Sequence, residues 1–514
     1  MKTRILSLIL LVMMLMGTSA FANNIDVGNV SIVDQDDIGN TYDLQFDISW
    51  DNCWYDSGAP STVANWDAAW VFAKFSTYNV STLSWSDWKH CTLLNTGYTA
   101  PAGSQINFGA TSGVYKGTFI YRSSAGSGPV NWDAAEIRWN YGADSVDDST
   151  RVKVQVYAIE MVYIPQGSFY VGDTDNDNTN CFYEGASGTP RTEFQITSEG
   201  AITVADTAEN LYYDADNGYS GDQSGPVPAA FPKGYNAFYI MKYEISQKQY
   251  CDFLNTLTSG QTGDRAQNNY GDTRYYILLA SNGKYGCNAT GGGTWGVTSY
   301  DEMNQADDGG WTACNYLSYM DVAAYADWAA LRPFTELEFE KACRGSQAAV
   351  DDEYAWGNTT LESFTTTLNS ANTNSEAPNQ GNMNYSSCTP DGPFRVGCFA
   401  DGSSTRTIAG ASYFGVLDLS GSVWERTVTV GTAAGRVFTG THGDGELSAN
   451  GRANNSDWPG FVTSEVSGAD GSGFRGGNWI YAATLARVSD RIWGSSIFTA
   501  RNNSYGGRCA RTSP

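Results

Sequence analysis

Between Tyr42 and Trp50 every second residue is apolar: Tyr42, Leu44, Phe46, Ile48 and Trp50 alternate with polar neighbours. A period of two sends alternate side chains to opposite faces, so this stretch predicts a half-buried β-strand. Val152, Val154, Val156 and Ala158 repeat the pattern. Gly-, Ser- and Pro-rich clusters such as Ala125-Gly126-Ser127-Gly128-Pro129 punctuate the stretch between them. Residues 23–158 therefore read as an all-β, sandwich-like domain. Within it Asn65-Trp66-Asp67-Ala68-Ala69-Trp70 is echoed by Asn131-Trp132-Asp133-Ala134-Ala135-Glu136, which suggests an internal structural echo. Nothing in the domain carries chemistry, and a spacer or packing role accounts for it.

Past residue 158 the pattern changes. Met161 to Phe169 reads as a strand entering a turn, and Phe238 to Ile245 is a second apolar run. Ser246 followed by Gln249 forms a capping box, with Tyr250, Phe253, Leu254 and Leu257 at helical spacing. Thr335 and Glu338 make another, leading into Leu337, Phe339 and Ala342. So few helical signals among so many glycine-rich loops predict an α+β domain over 159–514 in which irregular structure dominates.

The first residues add a targeting signal. A basic start (Lys2, Arg4), an apolar run from Ile5 to Met16 and the ending Ala20-Phe21-Ala22 have the form of a secretory signal peptide over 1–22. The run is short for a bilayer, and no later segment is apolar enough to cross one, so a secreted or cell-surface protein without a transmembrane segment is expected. Lys and Arg total 30 against 55 Asp and Glu, a net charge of −25. That field repels phosphate backbones, which argues against nucleic acid as a partner, and it supplies carboxylates suited to calcium. Ten cysteines in an exported chain favour disulfides, but their spacing does not fix the pairing, and no C-x-x-C occurs.

Four ordered blocks carry a resemblance. They are Met161 to Phe169, Tyr239 to Phe253, Leu331-Arg332-Pro333-Phe334-Thr335-Glu336-Leu337-Glu338-Phe339-Glu340-Lys341-Ala342-Cys343-Arg344-Gly345, and Gly415 to Glu425 with its Gly421-Ser422-Val423-Trp424-Glu425 ending. With Gly473-Phe474-Arg475-Gly476-Gly477-Asn478-Trp479 and Tyr505 to Arg511, they resemble the formylglycine-generating enzyme (sulfatase-modifying factor) family. The resemblance implies a C-type-lectin-like fold for 159–514. Catalytic members hold Cu(I), a soft ion that prefers thiolate, between two cysteines shortly after the Arg-Gly-Gly. Those positions fall here on Tyr481 and Ala486, so no copper is expected; two histidines in the chain, His90 and His442, are too few for the three-histidine iron site of the family's other branch.

The resemblance further implies a disulfide between Cys343 and Cys509. It also implies structural calcium at Gly421, Val423 and Glu425, with a second set at Asn384, Tyr385 and Asp391. A buried hydrogen bond is the competing role for Glu425, and Ser422 departs from the family's Asn. Asp173-Thr174-Asp175-Asn176-Asp177 with Glu184 looks like an EF-hand loop, but Asn178 stands where Gly is needed, and a solvated acidic loop is the simpler reading.

Without the thiols, the scaffold reads as a display frame. Thr427 to Val430, Phe438 to Gly445 and Ala486 to Arg491 look like the variable proteins of diversity-generating retroelements, which makes Arg487, Val488, Ser489, Asp490 and Arg501 scaffold and implies diversification between them. The expected ligand face is Ile480, Tyr481, Leu485, Ile492, Trp493, Ser495, Ser496, Phe498, Asn502 and Ser504, a mixture of aromatics and small polar groups typical of adaptable binding surfaces; Trp479 is expected to serve the core. Two functions follow: a secreted, non-catalytic binding or display protein for a protein or glycan ligand at a cell surface, or a divergent oxidoreductase of the formylglycine-generating type acting on a sulfatase or other protein.

Overall fold

The computed structural model describes residues 24–58, 63–111, 113–174, 180–188, 190–214, 218–290, 292–362 and 367–514. Residues 1–22, where the signal peptide is expected, lie outside them. The N-terminal strands are β1 (Asp26–Asp36), β2 (Thr41–Asp56), β3 (Asn65–Asn79), β4 (Ser84–Trp85), β5 (Lys89–His90), β6 (Leu93–Thr99), β7 (Ser104–Thr111), β8 (Val114–Arg122), β9 (Gly126–Asn140) and β10 (Val152–Ile164). They belong to a single sheet in the order β1-β2-β9-β6-β8-β3-β10, and a further pairing of Tyr55 with Trp66 joins β2 to β3. The circuit β2-β9-β6-β8-β3 thus closes on itself, where two packed sheets were expected.

The predicted alternation holds in β2: Tyr42, Leu44, Phe46, Ile48 and Trp50 enter one core cluster with Ile137 and Trp139 of β9. β3 differs, because it is buried on both faces. Ala69, Val71, Ala73 and Phe75 face that same core, while Ala68, Trp70 and Phe72 join a second cluster shared with the rest of the chain. The echoed hexapeptides lie on β3 and β9 but in unlike surroundings: Asp67 is fully buried and Asp133 exposed.

Residue 158, the expected domain boundary, falls inside β10. That strand pairs with β3 from Val152 to Val162 and with the strand Phe238–Met241 from Met161 to Ile164. Phe238–Met241 then pairs with the terminal strand Ala510–Thr512. One continuous ladder therefore runs from the first strand to the last. Lys242 locks the crossing: buried under the Trp54 ring, it reaches Asp67 and Glu160, each at 3.0 Å.

Four principal helices follow: α1 (Gln247–Leu254), α2 (Ser259–Arg265), α3 (Tyr319–Trp328) and α4 (Glu336–Arg344). Both expected capping boxes form, Ser246 with Gln249 and Thr335 with Glu338. Two more cap α2 and α3, through Thr258 with Gln261 and Ser318 with Asp321. No helix among the described residues is long and apolar enough to cross a membrane.

Candidate functional site

α4 is a comb of buried carboxylates, each answering an arginine from a different segment. Glu336 takes Arg491 through two contacts of 3.0 Å. Glu338 takes Arg332 at 2.6 and 2.9 Å. Glu340 takes Arg475 and accepts the Gly172 amide at 2.7 Å. Farther along the chain, Arg508 grips Glu425 at 2.6 and 2.7 Å. All of these groups are almost wholly buried. Within such pairs the net energy is modest, but removing one partner strands a charge and costs about 3–5 kcal/mol.

These pairs fix the frame of the C-terminal segment. The strand Trp424–Val428 pairs antiparallel with Ser472–Arg475 and parallel with Tyr505–Gly506. Gly473 is demanded by close approach, since a Cβ there would lie 1.8 Å from the Gly494 carbonyl oxygen. Gly477 has φ +71° and faces Ala486 at 2.8 Å, so a side chain is excluded twice over. The chain then turns through Asn478, whose Oδ1 accepts the amides of Ile480 (2.8 Å) and Tyr481 (3.0 Å). Trp479 is core, as expected, and its Nε1 donates to Asn503 at 3.1 Å.

The two positions at which the resemblance leads one to expect thiols lie in different environments. Tyr481 is 46 % exposed, whereas Ala486 ends a short 3-10 turn and is buried, its carbonyl accepting the Ser420 hydroxyl at 2.7 Å.

The ten expected face residues divide. Trp493 stacks on Tyr219 with ring centroids 4.8 Å apart, and Phe498 meets both rings at 5.5 Å. All three are half-buried, so each leaves part of a ring in solvent. Tyr219 was not foreseen; it lies hundreds of residues upstream, with no periodicity to mark it. Ile480, Leu485 and Ile492 are also half-buried, and Tyr481 and Asn502 are exposed. Ser495, Ser496 and Ser504 are buried and leave the face: the Ser495 amide and hydroxyl both donate to the Tyr219 carbonyl (2.7 and 2.6 Å), and the Ser504 carbonyl accepts the Trp424 amide at 2.8 Å. Arg426 supports the loop from within. It lies 3.8 Å from the Phe474 ring centre and donates to the carbonyls of Phe498 (2.9 Å) and Ala500 (3.4 Å). Burial lowers its guanidinium to about 9. Of the five positions expected as scaffold, Val488, Ser489 and Asp490 are buried, Arg501 grips Asp321 at 2.6 Å through two nitrogens, and Arg487 is half-buried beside Asp352.

Cys343 and Cys509, which the resemblance implies as a disulfide, are both buried and face different core clusters. Strand alternation explains it. Ala510 faces the cluster that contains Cys343, so its neighbour Cys509 faces the opposite one, with Tyr319 and Tyr325 of α3.

At the first calcium set that the resemblance implies, the only side-chain carboxylate is already engaged by an arginine. Both oxygens of Glu425 are taken by Arg508. Val423 donates its amide to Glu244 at 3.0 Å, and Ser422 donates its hydroxyl there at 2.8 Å. Burial, with Asp418 and Glu425 close by, raises the Glu244 carboxyl well above its usual value. In the second set Asp391 is exposed, the Tyr385 carbonyl accepts the Cys388 thiol at 2.7 Å, and the buried Asn384 Oδ1 has no partner among the described residues. Among those residues no three His, Cys, Asp or Glu side chains are grouped to hold a metal. Of the EF-hand-like loop, 175–179 lie outside the described residues; Asp173 is buried and accepts the Ser489 hydroxyl at 2.9 Å, and Glu184 accepts the Glu209 amide at 2.9 Å.

The fold and its buried ion-pair frame define a β-rich, glycine-turned scaffold with few helices. Comparison with known proteins places it: the sulfatase-modifying factor enzyme 1-like domain matches residues 145–513, and the chain belongs to that family. A stretch of 113 residues is 33% identical to the formylglycine-generating enzyme of Mycobacterium tuberculosis (strain ATCC 25618 / H37Rv), covering 22% of this chain and 32% of that enzyme. The chain thus aligns with only about a third of that relative's length.

Proposed function

We propose that this protein is a ligand-binding member of its family, exported, and not a cysteine-dependent oxidase. One observation carries the reading: the positions that the copper enzymes give to thiolates hold Tyr481, turned to solvent, and Ala486, packed under Gly477. Neither can supply the thiolate that a soft Cu(I) ion prefers. The half-exposed rings of Tyr219, Trp493 and Phe498, with Tyr481, Ile480, Leu485, Ile492 and Asn502 on the same C-terminal segment, supply the apolar and polar mixture of a recognition surface. The ligand is a protein or glycan at a cell surface; the acidic field disfavours nucleic acid. Diversification of this segment fits a frame that holds itself by buried pairs and leaves Tyr481 exposed.

Family membership and the partial match to a formylglycine-generating enzyme favour the second reading, a divergent oxidoreductase. Incubation with copper, oxygen and a cysteine-containing sulfatase peptide separates the two. The expected result is no conversion of the cysteine to an aldehyde; copper-dependent turnover would overturn the binding reading.

A further inference from the structure

Ten buried thiols leave open which, if any, are chemically paired. One pair stands apart. Cys251 lies on the buried face of α1, and Cys287 ends the strand Tyr285–Cys287 that packs across it. Their sulfurs are 3.9 Å apart. Two asparagine clamps hold the backbones on either side. Asn255, which caps α1, donates to the Tyr285 carbonyl and accepts its amide, both at 2.8 Å. Asn304 accepts the Cys287 amide at 2.9 Å and donates its own backbone amide to the Cys287 carbonyl at 2.8 Å. The thiols are therefore set face to face by the fold itself. A third thiol, Cys314, belongs to the same core cluster and lies within electrostatic range of both, but it points at the Asn315 carbonyl (3.6 Å).

We propose that Cys251 and Cys287 form a disulfide that staples α1 to the strand Tyr285–Cys287. An S–S bond is about 2.0 Å long, so closure moves each sulfur by roughly an ångström, within the reach of small side-chain rotations. The oxidant is a disulfide R–S–S–R of the exporting compartment. One cysteine thiolate attacks it, forms a mixed disulfide and expels RS⁻; the second attacks the protein-bound sulfur and expels the other RS⁻. Two protein thiols lose two electrons and two protons, and one R–S–S–R becomes two R–SH. Both thiols are at most 3% exposed once folded, so exchange takes place before α1 docks, and the finished bond is shielded from reductant.

The test is a proteolytic map without reduction, on full-length protein refolded with glutathione disulfide and alkylated while denatured. The expected product is an α1 peptide joined to the Cys287 peptide. Recovery of both as alkylated thiols, or a link from either to Cys314, would overturn the proposal. Thermal melting gives an independent readout that needs no variant: the linked protein should melt on the order of 3–5 °C above the same protein refolded under reductant. A linked form that melts lower would show that the folded geometry does not accept the bond, and would overturn it too.

Discussion

Replacing Arg491 by Met tests whether the buried pairs, and not the candidate face beside them, hold the C-terminal segment. Arg491 is fully buried, stacked on Phe182 (4.2 Å) and Tyr213 (4.3 Å), and bonded to both oxygens of Glu336. Glu336 also accepts the Thr429 hydroxyl (2.8 Å) and the Val430 amide (2.9 Å). Burial alone would raise this carboxyl, yet Arg491 and these donors hold it below its ordinary value. R491M keeps much of the apolar contact but leaves the carboxylate without its cation, at a cost of about 3–5 kcal/mol near pH 7. The cost must depend on pH. In the native protein Glu336 has a depressed pKa, so its contribution is present above the unfolded pKa and disappears as pH falls through the folded value. In R491M the same carboxyl has its pKa raised by burial, so the folded form is relieved by taking a proton. The deficit relative to wild type is therefore largest at pH 7–8 and shrinks toward pH 5. Denaturant melts of both proteins across that range measure it, and the double variant E336Q/R491M should recover a large part of the loss. A deficit below about 1 kcal/mol, or one unchanged between pH 5 and pH 8, would show that Glu336 reaches solvent and that the pair is not what fixes the segment.

Two further outcomes follow from the same coordinates. Tyr481→Ala should change stability by no more than about 0.5 kcal/mol, whereas Trp493→Ala, which removes the stack on Tyr219, should cost roughly 1–3 kcal/mol; equal and large losses in thermal melts would assign Tyr481 to the core. Burial, with Asp444 nearby, raises Asp327 to about 8, so the folded state keeps a proton that the unfolded chain releases from about pH 4 upward. Wild-type stability should then fall relative to Asp327→Asn by about 1–3 kcal/mol from pH 5 to pH 8, and parallel pH profiles would refute it.

Much of the fold was legible where one face is buried and the other is wet. β2 and the starts of α1 and α4 came through because their periods and caps are local. α3 did not: nine of its ten residues are buried, including Asp321 and Asp327, so it has no polar face to set a helical rhythm. β3 hid its double burial for the same reason. The domain boundary was drawn where composition shifts, but hydrogen bonding carries β10 straight through it. In the candidate site, Tyr481, Trp493 and Phe498 were accessible to reasoning from motif spacing. Tyr219 was not, because its contact with Trp493 joins segments 274 residues apart. That Cys343 and Cys509 face different clusters follows from strand parity, which spacing along the chain cannot show.

Retention of the family signature here has a physical cause that is independent of catalysis. Glu336, Glu338 and Glu340 of the α4 block, Arg332 before it, Arg475 before the paired glycines, Arg491, Glu425 and Arg508 are all consumed by one another. Altering any of them singly strands a buried charge, so the set persists whatever the surface does. Gly473 and Gly477 are held just as firmly by the approach of Gly494 and Ala486. Tyr481 meets no such demand, since its side chain is exposed and the backbone around it is fixed from beneath by Asn478. A scaffold of this kind can lose a nucleophile or exchange a recognition surface at little cost in stability, and its motifs therefore report the fold far more strongly than they report the chemistry.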